Sequence, residues 1–324
     1  MNADEEGGGP PPRFTAGDLL AERFRILRYI DRGGTGEVYE AEDRIEGRRL
    51  ALKVLRPEMA DDVYALELFR REVELASAIE HPGICRVYEL LHHRDVPFLS
   101  MELLGGETLA ARLARGTMSP AEALPLVRQM AAALEAAHAA GLVHGDFKTG
   151  NVMLVPDGGG VRAVVTDFGT APVRAADAPW VTPETVAGTP AYMAPEQARG
   201  CAPEPPADIY ALGVVLYEMV TGALPHEGET ALELLTRRVN ELAPTPRSRA
   251  KGLDARWELV ILRCLEPDPR DRFEGVDEVV RALDGGRIPP SPAEEERRRI
   301  RRWLLAAGLG AAVTGVVASF WLMR

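Results

Sequence analysis

The sequence predicts a bilobal α+β fold: a small β-rich lobe with one long helix, a larger helical lobe, and one membrane-spanning helix at the C-terminal end. Three observations predict it. Alternating apolar positions separated by turn residues fill 24–56. Helical spacing dominates from 119 onward, and a long uncharged run closes the chain.

The elements follow in order. MNADEEGGGPPPR is acidic and then Gly/Pro-rich, and it has no apolar core of the kind a signal peptide carries. Residues 1–22 are therefore expected to be a disordered lead. The folded body is expected over 24–283, divided into an N-lobe at 24–103 and a C-lobe at 107–283. Within it FRILRYI, EVYEAEDR and RRLALKVL read as strands around a glycine-rich turn, and 63–80 carries apolar residues at helical spacing. ICRVYELLHH and PFLSMELL read as two further strands. Ser119-Pro120-Ala121-Glu122 is a capping box with proline at the first helical position, and Gly141 closes that helix. After a strand-and-loop stretch over 142–196, helical patterns return at 206–222 and in three later segments. Ligands commonly bind in the cleft between two such lobes.

Residues 285–302 read as a polar, Pro-broken linker that ends in the basic run RRRIRR (297–302). Residues 303–323 hold twenty-one positions without a charge, which as a helix span about 32 Å. Trp303 and Trp321 sit near the two ends, and the five arginines upstream mark the cytoplasmic side. The expected placement is a single-pass protein of the cell membrane, with the body cytoplasmic, the C-terminus on the far side and no external domain after Arg324. Ala307, Ala311, Gly315 and Ser319 share one face of the span, which would suit a homodimer. An Ala/Gly-rich span shows such a stripe by composition alone, and that reading stays open.

A net charge of −11 with no basic stripe in the body excludes nucleic acid as an expected partner. Cys85, Cys201 and Cys264 lie far apart, and neither they nor the six histidines show metal-ligand spacing, so a zinc enzyme is not expected. The basic residues are uneven in kind. Three of them are lysine and thirty-five are arginine, and two of the lysines are Lys53 in LALKVL and Lys148 in VHGDFKTGN. A thin-stemmed ammonium at these two places fits phosphate chemistry better than a planar guanidinium does.

Five segments carry the remaining signal: IDRGGTGEVY (30–39), Ala51-Leu52-Lys53, HGDFKTGN (144–151), Asp167-Phe168-Gly169 and GTPAYMAPE (188–196). As an ordered set they resemble the eukaryotic-type (Hanks-type) serine/threonine protein kinases, over nearly all of 24–283. The resemblance implies the protein-kinase fold, ATP with Mg2+ (or Mn2+ in its place), and proteins bearing Ser or Thr as substrates.

It also implies a role for each matching residue. Asp146 would orient the attacking hydroxyl and accept its proton, and Lys148 would neutralise the transferring phosphoryl group. Asn151 and Asp167 would hold the metal. The nucleotide would be bound by the hairpin Ile30, Asp31, Arg32, Gly33, Gly34, Thr35, Gly36, Glu37 and Val38, with Ala51 and Lys53 beneath it. Glu72, on the 63–80 helix, would pair with Lys53. Met101 resembles the gatekeeper, Leu104 the adenine-contacting hinge residue and Met153 the floor under the base, and Glu107 would reach the ribose. His144 would brace the catalytic loop, Phe168 would pack inside, Glu196 would pair with Arg272, and Asp208 would anchor the loop from the helical core. Thr189 would bond Asp146 and Lys148.

Two positions depart from the family pattern. Asp31 stands where the first glycine of the hairpin would be, which puts ATP affinity in question. Gly145 stands where an arginine would receive a phosphorylated activation loop, so activity is expected to depend only weakly on Thr182 and Thr185. The alternatives are an inactive pseudokinase scaffold, which only Asp31 and Gly145 favour, and a small-molecule phosphotransferase. Enzymes of that second kind lack both Lys148 and the 188–196 segment.

Overall fold

A computed structural model describes residues 11–33, 36–55, 63–168 and 190–290, with side chains at 63–66 and 68 excepted. The first lobe is a six-stranded antiparallel sheet in the order β1-β2-β3-β4-β6-β5. Its strands are β1 (Leu19–Leu20), β2 (Phe24–Arg32), β3 (Gly36–Asp43), β4 (Arg48–Leu55), β5 (Val87–His93) and β6 (Val96–Met101). Helix α1 (Val63–Ala78) lies between β4 and β5 in the chain.

The two-residue period of the strands separates two faces. Phe24, Ile26, Tyr39, Ala41, Leu50, Leu52, Val54 and Phe98 form one buried cluster with Leu20. Leu55 and Leu99 on the other face pack on Phe69 and Val73 of α1. That second face also carries Lys53, directly across from Val38, and Ala51, across from Met101.

The lead departs from expectation over 11–22, which lies against the sheet instead of being disordered. The Arg13 amide donates to Glu37 Oε2 at 2.9 Å and the Phe14 amide to the Tyr39 hydroxyl at 3.1 Å. The Phe14 ring meets Tyr39 and His93 edge-on, and the Ala21 amide donates to His93 Nδ1 at 3.0 Å. Acidic and Pro/Gly-rich composition dominates the stretch as a whole, yet Phe14 and Leu20 bring enough apolar surface to close the cluster around Tyr39. Residues 1–10 lie outside the described residues.

The second lobe opens with β7 (Glu107–Thr108) and α2 (Leu109–Leu113), followed by α3 (Pro120–Ala139). The capping box of α3 is formed in both directions. The Glu122 amide donates to Ser119 Oγ at 3.3 Å and the Ser119 amide to Glu122 Oε2 at 2.9 Å. Strands β8 (Val152–Asp157) and β9 (Gly160–Val165) pair with β7 as a small sheet. Then come α4 (Pro195–Ala198), α5 (Pro205–Thr221), α6 (Ala231–Asn240), α7 (Pro246–Arg249), α8 (Ala255–Cys264) and α9 (Val276–Leu283).

Helix α5 is apolar on nearly every side and is accordingly the buried axis of the lobe. A Cβ at Gly213 would sit 2.5 Å from Cys264 Cβ, so glycine is what lets α8 approach α5 so closely. No helix among the described residues is long and apolar enough to cross a membrane. The 303–323 span, the 297–302 arginines and the end of the linker lie outside the described residues.

Candidate active site

The glycine-rich hairpin joins β2 to β3, and its two ends are held by a bond from the Gly33 amide to Gly36 O at 2.8 Å. Gly36 is required sterically, because a Cβ there would lie 2.1 Å from the backbone oxygen of Val54. Side chains around the turn are engaged with one another: Arg32 pairs with Glu37, which also accepts from the Tyr39 hydroxyl. Asp31 is exposed and its Oδ1 accepts the Arg32 amide at 2.8 Å. Ile30 is partly exposed, and Gly34 and Thr35 lie outside the described residues.

Lys53 is 2 % exposed, and its ammonium lies 2.7 Å from Asp167 Oδ1 as an ion pair. This corrects the expected pairing, since Glu72 makes no ion pair with Lys53. Glu72 Oε2 is buried without a hydrogen-bond partner, and burial pushes its carboxyl up to about 7. Of the two carboxylates, Asp167 is the one that pairs with the Lys53 ammonium. Desolvation in the cleft acts to raise the Asp167 carboxyl, but the charge and hydrogen bond of Lys53, with the charge of Lys148 behind them, outweigh it and hold the group below its ordinary value. Asp167 adopts a left-handed backbone, φ +66°, which a non-glycine residue keeps only when its surroundings impose it.

The catalytic-loop residues are held from the α5 axis. Asp208 is fully buried and accepts the amides of His144 (2.8 Å) and Gly145 (2.9 Å), as well as His138 Nε2 of α3 (2.7 Å). Gly145 takes φ +73°, a conformation glycine adopts without strain. His144 Nδ1 accepts the Asp146 amide at 3.3 Å, which leaves the proton on Nε2 to donate to Thr166 O at 3.0 Å. Its ring rests on Phe168, which is buried as expected.

Lys148 Nζ reaches Asp146 Oδ2 at 2.5 Å, and the Asn151 amide group donates to Asp146 O at 2.9 Å. Val152 pairs with Val165, and the Thr166 amide donates to Asn151 O, so Asn151 lies next to the strand end that carries Asp167. Asp146, Lys148, Asn151, Asp167 and Lys53 thus surround one polar site.

On the nucleotide side, Ala51 is buried, Met101 and Leu104 are half-buried, and Met153 pairs with Thr108. Glu107 is bound through both oxygens to Arg115, at 2.5 and 2.6 Å. The Glu196–Arg272 pair is formed as expected, at 2.6 and 2.7 Å, with Arg272 fully buried. Gly169, Thr182, Thr185 and Thr189 lie outside the described residues.

Several residues bear on the site without having been singled out in the sequence. Tyr192 bonds Thr149 of the catalytic loop at 2.8 Å and Glu218 of α5. Gln197 donates to Gly145 O at 2.9 Å, and Arg238 of α6 reaches three carbonyls of the 190–193 turn. Arg238 alone left a readable signal: it falls on the apolar stripe of α6 together with Leu234 and Leu235.

The donor set fits a magnesium nucleotide. Magnesium takes hard oxygen ligands, commonly one or two carboxylates together with substrate phosphates, and Asp167 and the Asn151 amide present such oxygens beside a buried ammonium. No group of three or more His, Cys, Asp or Glu that would form an all-protein metal cage occurs among the described residues.

The sequence profile of the family described as "Protein kinase domain" matches residues 24–282. Among curated proteins, the chain is 39% identical over 286 residues to the serine/threonine-protein kinase PknA of Mycobacterium tuberculosis, covering 86% of this chain and 65% of that one. It is 36% identical to PrkC of Bacillus subtilis, covering 81% of this chain and 40% of that protein. The chain therefore spans about two thirds or less of the length of these relatives. Among solved structures, the PknI kinase domain of Mycobacterium tuberculosis superposes with a TM-score of 0.68 at 28% identity, over 84% of this chain and 99% of that one.

Proposed function

Because the chain belongs to the protein kinase domain family, we propose that it transfers the γ-phosphate of Mg-ATP to Ser or Thr hydroxyls of proteins. The observation that carries this reading is the convergence of Lys53, Asp146, Lys148, Asn151 and Asp167 on one site braced by Asp208.

Asp146 is the group that orients the acceptor hydroxyl and takes its proton as the new O–P bond forms and the bond to the ADP oxygen breaks. Lys148, 2.5 Å from that carboxylate, spreads positive charge over the transferring group. Lys53 grips the nucleotide phosphates from the sheet, and the hairpin covers them, closed at Gly36. Asn151 and Asp167 are the residues that hold the metal, which when bound neutralises phosphate charge. Ile30, Val38, Ala51, Met101, Leu104 and Met153 are assigned to the base, and Glu107 to the ribose once it leaves Arg115.

The small-molecule alternative is disfavoured by the 190–196 segment, which is tied to the catalytic loop through Thr149 and Gly145. The chain is also read as anchored in the cell membrane, on the uncharged run 303–323 and the five arginines before it. Its body is then cytoplasmic and its C-terminus on the far side, and a homodimer through the span belongs to the same reading.

The test is radiolabelled phosphate transfer to protein acceptors by the full chain and by Asp146→Asn. Transfer is expected from the full chain, with a loss of at least ~100-fold in the variant. Equal labelling by the two proteins, or none by the unmodified chain alongside intact nucleotide binding, would favour the pseudokinase scaffold.

A further inference from the structure

Arg238 occupies an unusual position for a cation. It lies on the inward face of α6, is 1 % exposed, and forms no ion pair with any carboxylate among the described residues. Its hydrogen-bond partners among the described residues are backbone oxygens: Nη1 donates to Pro190 O at 2.5 Å and Met193 O at 2.6 Å, and Nη2 to Ala191 O at 2.5 Å. Nε is buried without a partner, and the guanidinium lies 5.8 Å from the centre of the Tyr210 ring. His226 nearby adds no negative charge. Burial, then the charges of Arg238 and Arg237, push its pKa down to about 4, so it is neutral at physiological pH.

A desolvated cation held by neutral dipoles is costly, and a leucine on the same stripe would pack without that penalty. What the arginine does for the fold lies in what it holds. Pro190–Tyr192 form one tight helical turn, and the carbonyls at the C-terminal end of such a turn converge with their negative ends outward. The planar fork of Arg238 collects three of them, which an ammonium on a flexible stem would not match.

The turn is also fastened to the catalytic loop. Tyr192 bonds Thr149, the Ala194 amide donates to Gln197 Oε1 at 2.9 Å, and Gln197 in turn donates to Gly145 O. Tyr192 and Met193 line a small cavity together with Gly145 and Asp146. The turn therefore forms a wall next to Asp146, the residue assigned to the acceptor hydroxyl.

Resting on the kinase reading, we propose that Arg238 is a positioning residue for the protein acceptor. It fixes the 190–193 turn so that a peptide can lie beside Asp146, while contributing nothing to the nucleotide side.

The experiment uses the full chain with Mg-ATP and dephosphorylated casein as the acceptor probe, comparing Arg238→Gln and Arg238→Lys. The glutamine variant should raise KM for casein about tenfold or more and leave KM for ATP within about twofold. Lysine, which keeps the charge without the fork, should recover part of the loss. An unchanged KM for casein would overturn the proposal, and so would a parallel rise in KM for ATP, the mark of general disruption. Hydrogen exchange decides independently of activity: amides at 191–194 should exchange at least about tenfold faster in Arg238→Lys, with those of α3 unchanged. Equal exchange at 191–194 would overturn it even if the glutamine variant fails to fold. Should the unmodified chain label no acceptor at all, the kinase reading falls while the exchange result still decides what Arg238 holds.

Discussion

Replacing Glu72 by glutamine should make this protein more stable, and the gain should depend on pH. The carboxyl is raised by burial from an ordinary 4.5 to about 7, with one oxygen unpartnered. A group whose folded-state pKa is raised contributes stability that is present below its unfolded pKa and lost as pH rises through the folded one. Below about pH 4.5 Glu72 is neutral in both states and glutamine offers no advantage. Above about pH 7 the folded protein carries a buried, unpaired carboxylate. The displacement from 4.5 to about 7 converts, at about 1.36 kcal/mol per unit, to about 3 kcal/mol at most. Partial access to solvent reduces that to about 1–2 kcal/mol. Urea unfolding of both proteins at pH 5 and pH 8 measures the difference. Glu72→Gln should be within about 1 kcal/mol of the parent at pH 5 and more stable by about 1–2 kcal/mol at pH 8. The same difference at both pH values would refute the buried-carboxylate argument. A loss of stability at pH 8 would show that Glu72 is paired with a cation in solution.

Two further outcomes follow from buried geometry. Arg272→Met strands Glu196 and three backbone carbonyls, and removing one partner of such a pair costs about 3–5 kcal/mol. For a domain of this size that is a fall in Tm of about 8–15 °C, partly restored in Glu196→Gln/Arg272→Met; a change below about 1 kcal/mol would contradict the assignment. Gly36→Ala drives a Cβ to 2.1 Å from Val54 O, so KM for ATP should rise about tenfold, with about 1–3 kcal/mol lost in thermal unfolding. Gly33→Ala, whose Cβ would have its nearest protein neighbour at 4.0 Å, should leave thermal unfolding near the parent value.

The parts of the site that the sequence revealed are those whose chemistry is local. HGDFKTGN places Asp146, Lys148 and Asn151 on one short loop, and the hydrogen bonds among them need no distant partner. The capping box at Ser119 is equally local, and it formed as read. Long-range choices were less legible. Which carboxylate Lys53 meets depends on where α1 sits relative to the end of β9, and no spacing in the chain encodes that distance. The packing of 11–22 is not legible in composition, which averages away Phe14 and Leu20, because their burial needs the cluster around Tyr39 that only the folded sheet creates. Arg238 falls on the apolar stripe of α6, yet the three carbonyls it holds lie more than forty residues upstream, beyond what that spacing encodes.

Sequence similarity to the family begins at residue 24, but the physical edge of the body lies further back. Trimming the chain to the matched range would strip Phe14 and Leu20 from the cluster and expose the upper side of Tyr39 to water. It would also delete the amide that tethers Glu37 at the root of the hairpin. A minimal soluble version should therefore begin no later than Pro11, and a tag placed directly at Phe24 would compete for a surface the protein already uses.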